Sequence, residues 1–332
     1  MPVISLKFGS RVLACVFALL FASALGLLPA ARAQSVPKLI HLVVAYPPGG
    51  VSDVIARALA EKLGSRLGST IVVENKAGAS GTIGMDVVAK AAPDGSTLGF
   101  SAISPLVLNP HLAKSPFDPL KDIAAVASVM YSPVLLLATP ATGTRDFKTL
   151  LDDARSRPGA VRWATSGQAS LGHIVLEEVR AAAKVDITHI PYKGGGQQIN
   201  DAVGGQFEIL SINAWPAVTA QIQAGRLRPL AVAAPARLAK LPQVPTLAEL
   251  GFKDANLSSL FGVFAPGGTS PLLVEKYNVE INQALADPDL RKRILASDNV
   301  PTGGSAEDFA DEIATEFHNN AAIVKAADIK AD

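Results

Sequence analysis

Hydrophobic positions along the chain fall into short β-rich runs that alternate with longer stretches of helical spacing. Residues 39–46 (LIHLVVAY) form a nearly continuous β run, stopped by Pro47-Pro48-Gly49-Gly50. Residues 53–67 follow with Val54, Ala58, Leu59 and Leu63 near one helical face, and Ser52 stands as the N-cap. Residues 70–74 are the next strand. A turn containing Gly78, Gly81 and Gly84 leads into a helix near 85–92, and residues 97–102 are a third strand. This β-α-β-α-β order predicts a parallel sheet with helices on both faces.

A second series begins near residue 145. A helix over 146–157 stops at Pro158-Gly159, and residues 161–165, 187–190, 207–212 and 229–234 read as strands. Helices fall between them at 170–183, around 197–203 and at 216–224. The stretch 260–265 carries the chain back to the first unit, and helices near 271–286, 288–297 and 306–326 finish it. There is no tandem repeat and no low-complexity linker. The pattern predicts two α/β lobes joined by short crossovers, the first built from residues 34–138 plus 258–332 and the second from 139–257.

Residues 1–33 have a different character. Lys7 and Arg11 precede an apolar run over 12–28, and Ala31-Arg32-Ala33 offers the small-x-small pattern of a signal-peptidase site. A cleavable secretory leader is expected there, which would export the protein. The single cysteine, Cys15, lies inside that run, so the processed chain would have no disulfide, thiolate metal ligand or thiol nucleophile.

Charge narrows the partners. The 30 Lys and Arg nearly balance the 29 Asp and Glu. Residues 1–33 hold three of the basic residues and no acid, so their removal takes the formal charge from +1 to −2. No global positive field calls for nucleic acid.

Enzyme constellations are weak. Gly167-Gln168-Ala169-Ser170-Leu171-Gly172 is one residue off the nucleophile-elbow spacing. The spacing of Gly78, Gly81 and Gly84 is not the dinucleotide fingerprint. His173 and Glu177 share a helix face at i, i+4, which would suit a metal, but no third ligand is identifiable. The reading assigns no catalytic residue, no metal and no cofactor. A minor alternative is an exported enzyme using His173 with Ser170.

What recurs is a strand, a small-residue loop and a helix start, at 47–53, 77–84, 165–172 and 191–197. Helix N-termini expose unpaired N–H groups and partial positive charge, and glycine lets a ligand approach that backbone. In open α/β sheets such loops lie at the carboxyl ends of the strands, where ligands bind. Cations are scarce in these loops, with only Lys76 and Lys193 close by. The expected ligand is therefore a small organic acid with one carboxylate held by neutral donors.

Several segments resemble one family: 43–53 (VVAYPPGGVSD), 72–84 (VVENKAGASGTIG), 92–98 (APDGSTL), 191–195 (PYKGG), 224–232 (AGRLRPLAV) and 244–251 (VPTLAELG). In this order they are similar to the Bug family, the substrate-binding proteins of tripartite tricarboxylate transporters. The resemblance implies an α/β fold of the periplasmic-binding-protein type II kind, two lobes with a ligand cleft and hinge crossovers. It also implies a cognate two-component membrane permease with small and large subunits. Applied to this chain, it implies a carboxylate gripped by Pro48, Gly49, Gly50, Ser52 and Asp53 of the first lobe, facing Ser166, Gly167, Ser170 and His173 of the second. Tyr192, Lys193 and Gly194 complete the pocket, with Asn213, Ala214 and Trp215 in its variable part. Asp53 has a competing role as a first-turn acid of its helix. Trp215 is open between floor of the ligand site and lobe core. A monomer is expected, and a binding subunit serving a sensor kinase is the alternative to transport.

Overall fold

The computed structural model describes residues 35–326; the leader expected over residues 1–33, Cys15 included, lies outside them. Two mixed sheets carry the described chain, and both follow the same plan.

In the first sheet, β1 (Leu39–Val44) lies between β2 (Thr70–Asn75) and β3 (Thr97–Ala102), all parallel. β10 (Ser259–Pro266) then pairs antiparallel with β3 and with β4 (Ile123–Ser132), and β11 (Val300–Pro301) closes the edge. The order is β11-β4-β10-β3-β1-β2. In the second sheet β6 (Arg162–Thr165) lies between β7 (Thr188–Pro191) and β8 (Ile209–Asn213), again parallel. β5 (Val134–Ala138) pairs antiparallel with β8 and with β9 (Arg228–Ala233), giving β7-β6-β8-β5-β9. Each sheet thus has a parallel βαβ half and an antiparallel strand that arrives from the other sheet. The parallel pairing expected for the first three strands is found; the antiparallel strands arise because the chain crosses between sheets.

Three differences from the sequence reading matter. The apolar run through 123–138 is two strands that the pattern did not resolve. Val134–Ala138, assigned to the first lobe, hydrogen-bonds in the second sheet, because Pro133 ends β4 and the chain passes across there. The first helix, α1 (Val51–Leu67), starts earlier than expected. Its N-cap is Gly50, in extended conformation, so Ser52 is not a cap and lies within the first turn.

The cores follow from the strand pattern. Ile40, Leu42 and Val44 of β1 pack with Ile55, Leu59 and Leu63 of α1 on one face of the first sheet. Val43 and Ala45 face the other way, against Met85 and Val88 of α2 (Thr82–Ala89). This is the both-faces-covered burial of an α/β sheet. Trp163 and Leu136 anchor the second sheet, with Val175 and Leu176 of α6 (Leu171–Ala183) and Phe147 and Leu150 of α5 (Phe147–Ser156). Between α2 and α5 come α3 (Ser104–Val107) and α4 (Asn109–Leu112).

Gly84 sets how closely α2 approaches the end of β1. A Cβ there would lie 2.6 Å from Ala45 Cα and 2.8 Å from the Lys76 carbonyl oxygen. Glycine to alanine inside a helix is ordinarily stabilising by about 1 kcal/mol. Here backbone blocks the added methyl, and overpacking costs about 1–3 kcal/mol. Gly84→Ala is expected to lower the denaturation midpoint in urea; a raised midpoint would contradict this packing.

Candidate ligand-binding site

Three helices start at one cavity. α1 begins after the 45–50 loop, α6 after the 166–170 loop, and α7 (Gly195–Val203) after Tyr192-Lys193-Gly194. Each follows a parallel strand, so each N-terminus stands at a strand's carboxyl end. The N–H groups of Val51, Ser52, Leu171, Gly172, Gly195 and Gly196 have no acceptor among the described residues. Each helix end also contributes a partial positive charge, so the cavity wall is suited to an anion without any cationic side chain.

The cavity has a volume of about 60 Å³, enough for several water molecules or a small ligand. Its polar wall includes Ser52, Ser80, Ser104, Ser166, Ser170, Asn213 and Ser259; its apolar wall includes Tyr46, Val51, Ile212, Trp215 and Phe261. No residue with a charged side chain lines it. Loops from the two sheets touch above it. The Ser80 hydroxyl donates to the Gln168 carbonyl. A Cβ on Gly194, whose φ is +132°, would sit 2.6 Å from Pro47 Cδ. The cleft is closed.

Of the residues expected at the site, Gly50, Ser52, Ser166, Ser170, Gly194, Asn213 and Trp215 come together in this lining. Pro48 and Gly49 are exposed at the outer turn, and Lys193 is exposed beside Gly194. Gly167, Ala214 and Tyr192 lie outside the lining; the Tyr192 hydroxyl is engaged by Asp201 at 2.8 Å. Trp215 packs against the cores of both sheets while it lines the cavity, so it is both wall and core.

Asp53 braces the 45–50 loop from behind the cavity. Only 5% exposed, its carboxylate accepts from the Gly49 N–H, Arg57 Nε and Asn75 Nδ2, each at 3.0 Å. Burial works to raise its pKa, but the Arg57, Gly49 and Asn75 hydrogen bonds outweigh it, and the carboxyl titrates below its ordinary value. Asn75 also donates to the Tyr46 carbonyl, so one carboxylate ties together the loop, the helix and the end of β2.

A model of the tripartite tricarboxylate transporter family receptor matches residues 55–329. The chain belongs to that family. It is 36% identical to protein BugT of Bordetella pertussis over 288 residues, 86% of this chain and 88% of BugT. Among solved structures it resembles the periplasmic binding protein BugD, with TM-score 0.82 and 28% identity over 88% of this chain and 98% of that one. It also resembles R. palustris Rpa4515, determined with adipate, with TM-score 0.83 and 30% identity over 88% and 98% of the two chains. Family members are periplasmic solute-binding proteins of two α/β lobes, not enzymes.

Beneath the 166–170 loop of this family receptor lies a feature that sequence spacing did not reveal. His173 and His189 stack in parallel, ring centroids 4.0 Å apart and planes 5° apart. The Ala169 N–H donates to His173 Nδ1, which leaves its proton on Nε2, facing Glu177 at 3.5 Å. His189 Nε2 contacts the Thr165 hydroxyl at 2.7 Å. The Ser170 hydroxyl bonds the His173 backbone N–H, not its ring, so the two do not form a nucleophile–base pair. The pair is a support for the loop. Burial, then the neighbouring His173, lowers the His189 pKa from 6.5 to about 3.

Also missed from sequence were Ser80, Ser104, Ser259 and Phe261, which reach the cavity from separate segments. The recurrent loop signal had covered only the first of these, at 77–84.

Asp53→Ala would leave the Gly49 N–H without its acceptor and take one of two from Asn75, and is expected to cost about 1–3 kcal/mol and to weaken ligand binding. Gly194→Ala would hold Pro47 away from the second lobe; calorimetry should show ligand affinity lower by about tenfold, or 1.4 kcal/mol, and the melting temperature should fall as well, because alanine is strained at φ +132°. The histidine pair has a signature in pH. Because the folded state holds His189 neutral, the unfolded chain binds the extra proton between pH 6.5 and about 3. Stability falls as pH drops through that window. His189→Gln should make the fall shallower in thermal melts; an unchanged slope would refute the assignment.

Proposed function

We propose that this protein captures a small organic carboxylate in the periplasm and delivers it to a two-component membrane permease. The observation that carries the reading is the convergence of three helix N-termini, with free N–H groups, on one enclosed cavity. Charge-assisted hydrogen bonds contribute about 1.5–3 kcal/mol each. A few of them plus apolar burial reach the roughly −8 kcal/mol of micromolar binding.

In this reading Gly50, Ser52, Ser166, Ser170 and Gly194 hold the carboxylate, while Asn213 and Trp215 contact the rest of the ligand. Asp53, His173 and Tyr192 position the loops from outside the cavity. Closure brings the 45–50 and 79–81 turns against the 166–168 and 192–194 loops, and ligand favours that state through its stronger contacts there. The adipate held by Rpa4515 supports the ligand class, and family membership supports the permease.

The test is a thermal-shift screen against carboxylates, amino acids and sugars, followed by calorimetry and chemical recovery of the ligand. The expected result is one saturable 1:1 site for a carboxylate, which is recovered unchanged. Binding at a hundredfold excess over Kd should add about 2.7 kcal/mol of stability. Loss of uptake of that acid on deleting the gene is expected as well. Chemical conversion of the acid, or stabilisation by sugars alone, would overturn the proposal.

A further inference from the structure

The cavity has two unlike ends. Around the loops, the free N–H groups of α1, α6 and α7 and the three helix dipoles compensate negative charge. Around the strands, the lining is Ala102, Ser104, Ile212, Asn213, Ser259 and Phe261. There Ala102 is opposite Phe261 in the β3–β10 register, and the Ile103 N–H bonds the Leu260 carbonyl at 2.9 Å.

This strand end is polar yet uncharged. Ser104 is 8% exposed, and its hydroxyl has no hydrogen-bond partner among the described residues. Ser259 is 6% exposed; its hydroxyl accepts from Asn213 Nδ2 at 3.0 Å, which leaves its own proton available. Asn213 Nδ2 also donates to the Ser132 carbonyl, which fixes the amide so that its oxygen is the remaining acceptor. The cations of the first-lobe loops and of the 192–194 loop are committed elsewhere or exposed. Arg57 is held by Asp53, Lys76 pairs with Glu74 at 3.5 Å, and Lys193 is exposed.

A hydroxyl that lines the cavity and has no protein partner among the described residues is open to a ligand group that supplies one. A second carboxylate at this end would be buried without a counter-charge, the only helix start there among the described residues being that of the four-residue α3 at Ser104, which is unfavourable. A hydroxyl, carbonyl or amide would satisfy Ser104, Ser259 and Asn213 with no such cost. Between the two ends, Trp215, Phe261 and Ile212 offer apolar surface.

Resting on the carboxylate reading above, we infer that the ligand is a monocarboxylic acid whose far end is a neutral hydrogen-bonding group, joined by a short apolar body. Its charge distribution differs from that of the adipate held by Rpa4515.

The test compares acids of one length that differ only at the far end. Calorimetry would be run with adipate, its monoamide, 6-hydroxyhexanoate and hexanoate, and with the corresponding series built on succinate. In at least one series the monoamide or hydroxy acid should bind tenfold or more tighter than the diacid. The combined Ser104→Ala and Ser259→Ala variant should lose the preference for the hydroxy acid over the plain alkanoate while still binding the alkanoate. A diacid that binds as tightly as its monoamide overturns this inference but leaves the carboxylate reading standing. Stabilisation only by ligands with no carboxylate overturns both.

Discussion

Everything at this site depends on backbone N–H groups at helix starts, not on charged side chains. An anion in a cavity without lysine, arginine or histidine needs some source of positive potential. Here it comes from Val51 and Ser52, Leu171 and Gly172, and Gly195 and Gly196, three first turns aimed at one space. Such donors are rigid, so little ordering remains to be done when the ligand arrives. They are also spread over both lobes, which makes full compensation available only when the cleft is closed.

The charged and titratable residues near the site therefore act behind it. Asp53 fixes the 45–50 loop through Gly49, Arg57 and Asn75. His173 and His189 stack under the 166–170 loop and hold it through Ala169 and Thr165. Glycine sets the approach of the lobes where Gly194 meets Pro47. Asp53 and His173 were expected as ligand contacts because they sit within a few positions of the cavity lining, yet their polar atoms are engaged in bracing the loops.

Much of this was legible from pattern alone, and the failures have physical causes. Strand–loop–helix punctuation marked the first-lobe βαβ unit, its counterpart in the second lobe, and the loops at the strand ends. The family resemblance, applied to those loops, named Gly50, Ser52, Ser166, Ser170 and Gly194, which line the cavity. It failed through 123–138, where a run buried on both faces has no alternation and only Pro133 breaks it. Ser104 and Ser259 escaped for another reason. They meet only because β10 returns to lie antiparallel against β3, a pairing no local window contains. Ser52 was misread as a cap because Gly50, two positions earlier, takes the N-cap place in extended conformation.

The most direct measurement is a crystal structure of the protein saturated with its acid. The account predicts carboxylate oxygens about 3 Å from main-chain nitrogens at the starts of α1 and at least one of α6 and α7, with no cationic side chain in contact. A carboxylate seated on Lys193, or bound outside the cavity between the lobes, would contradict it.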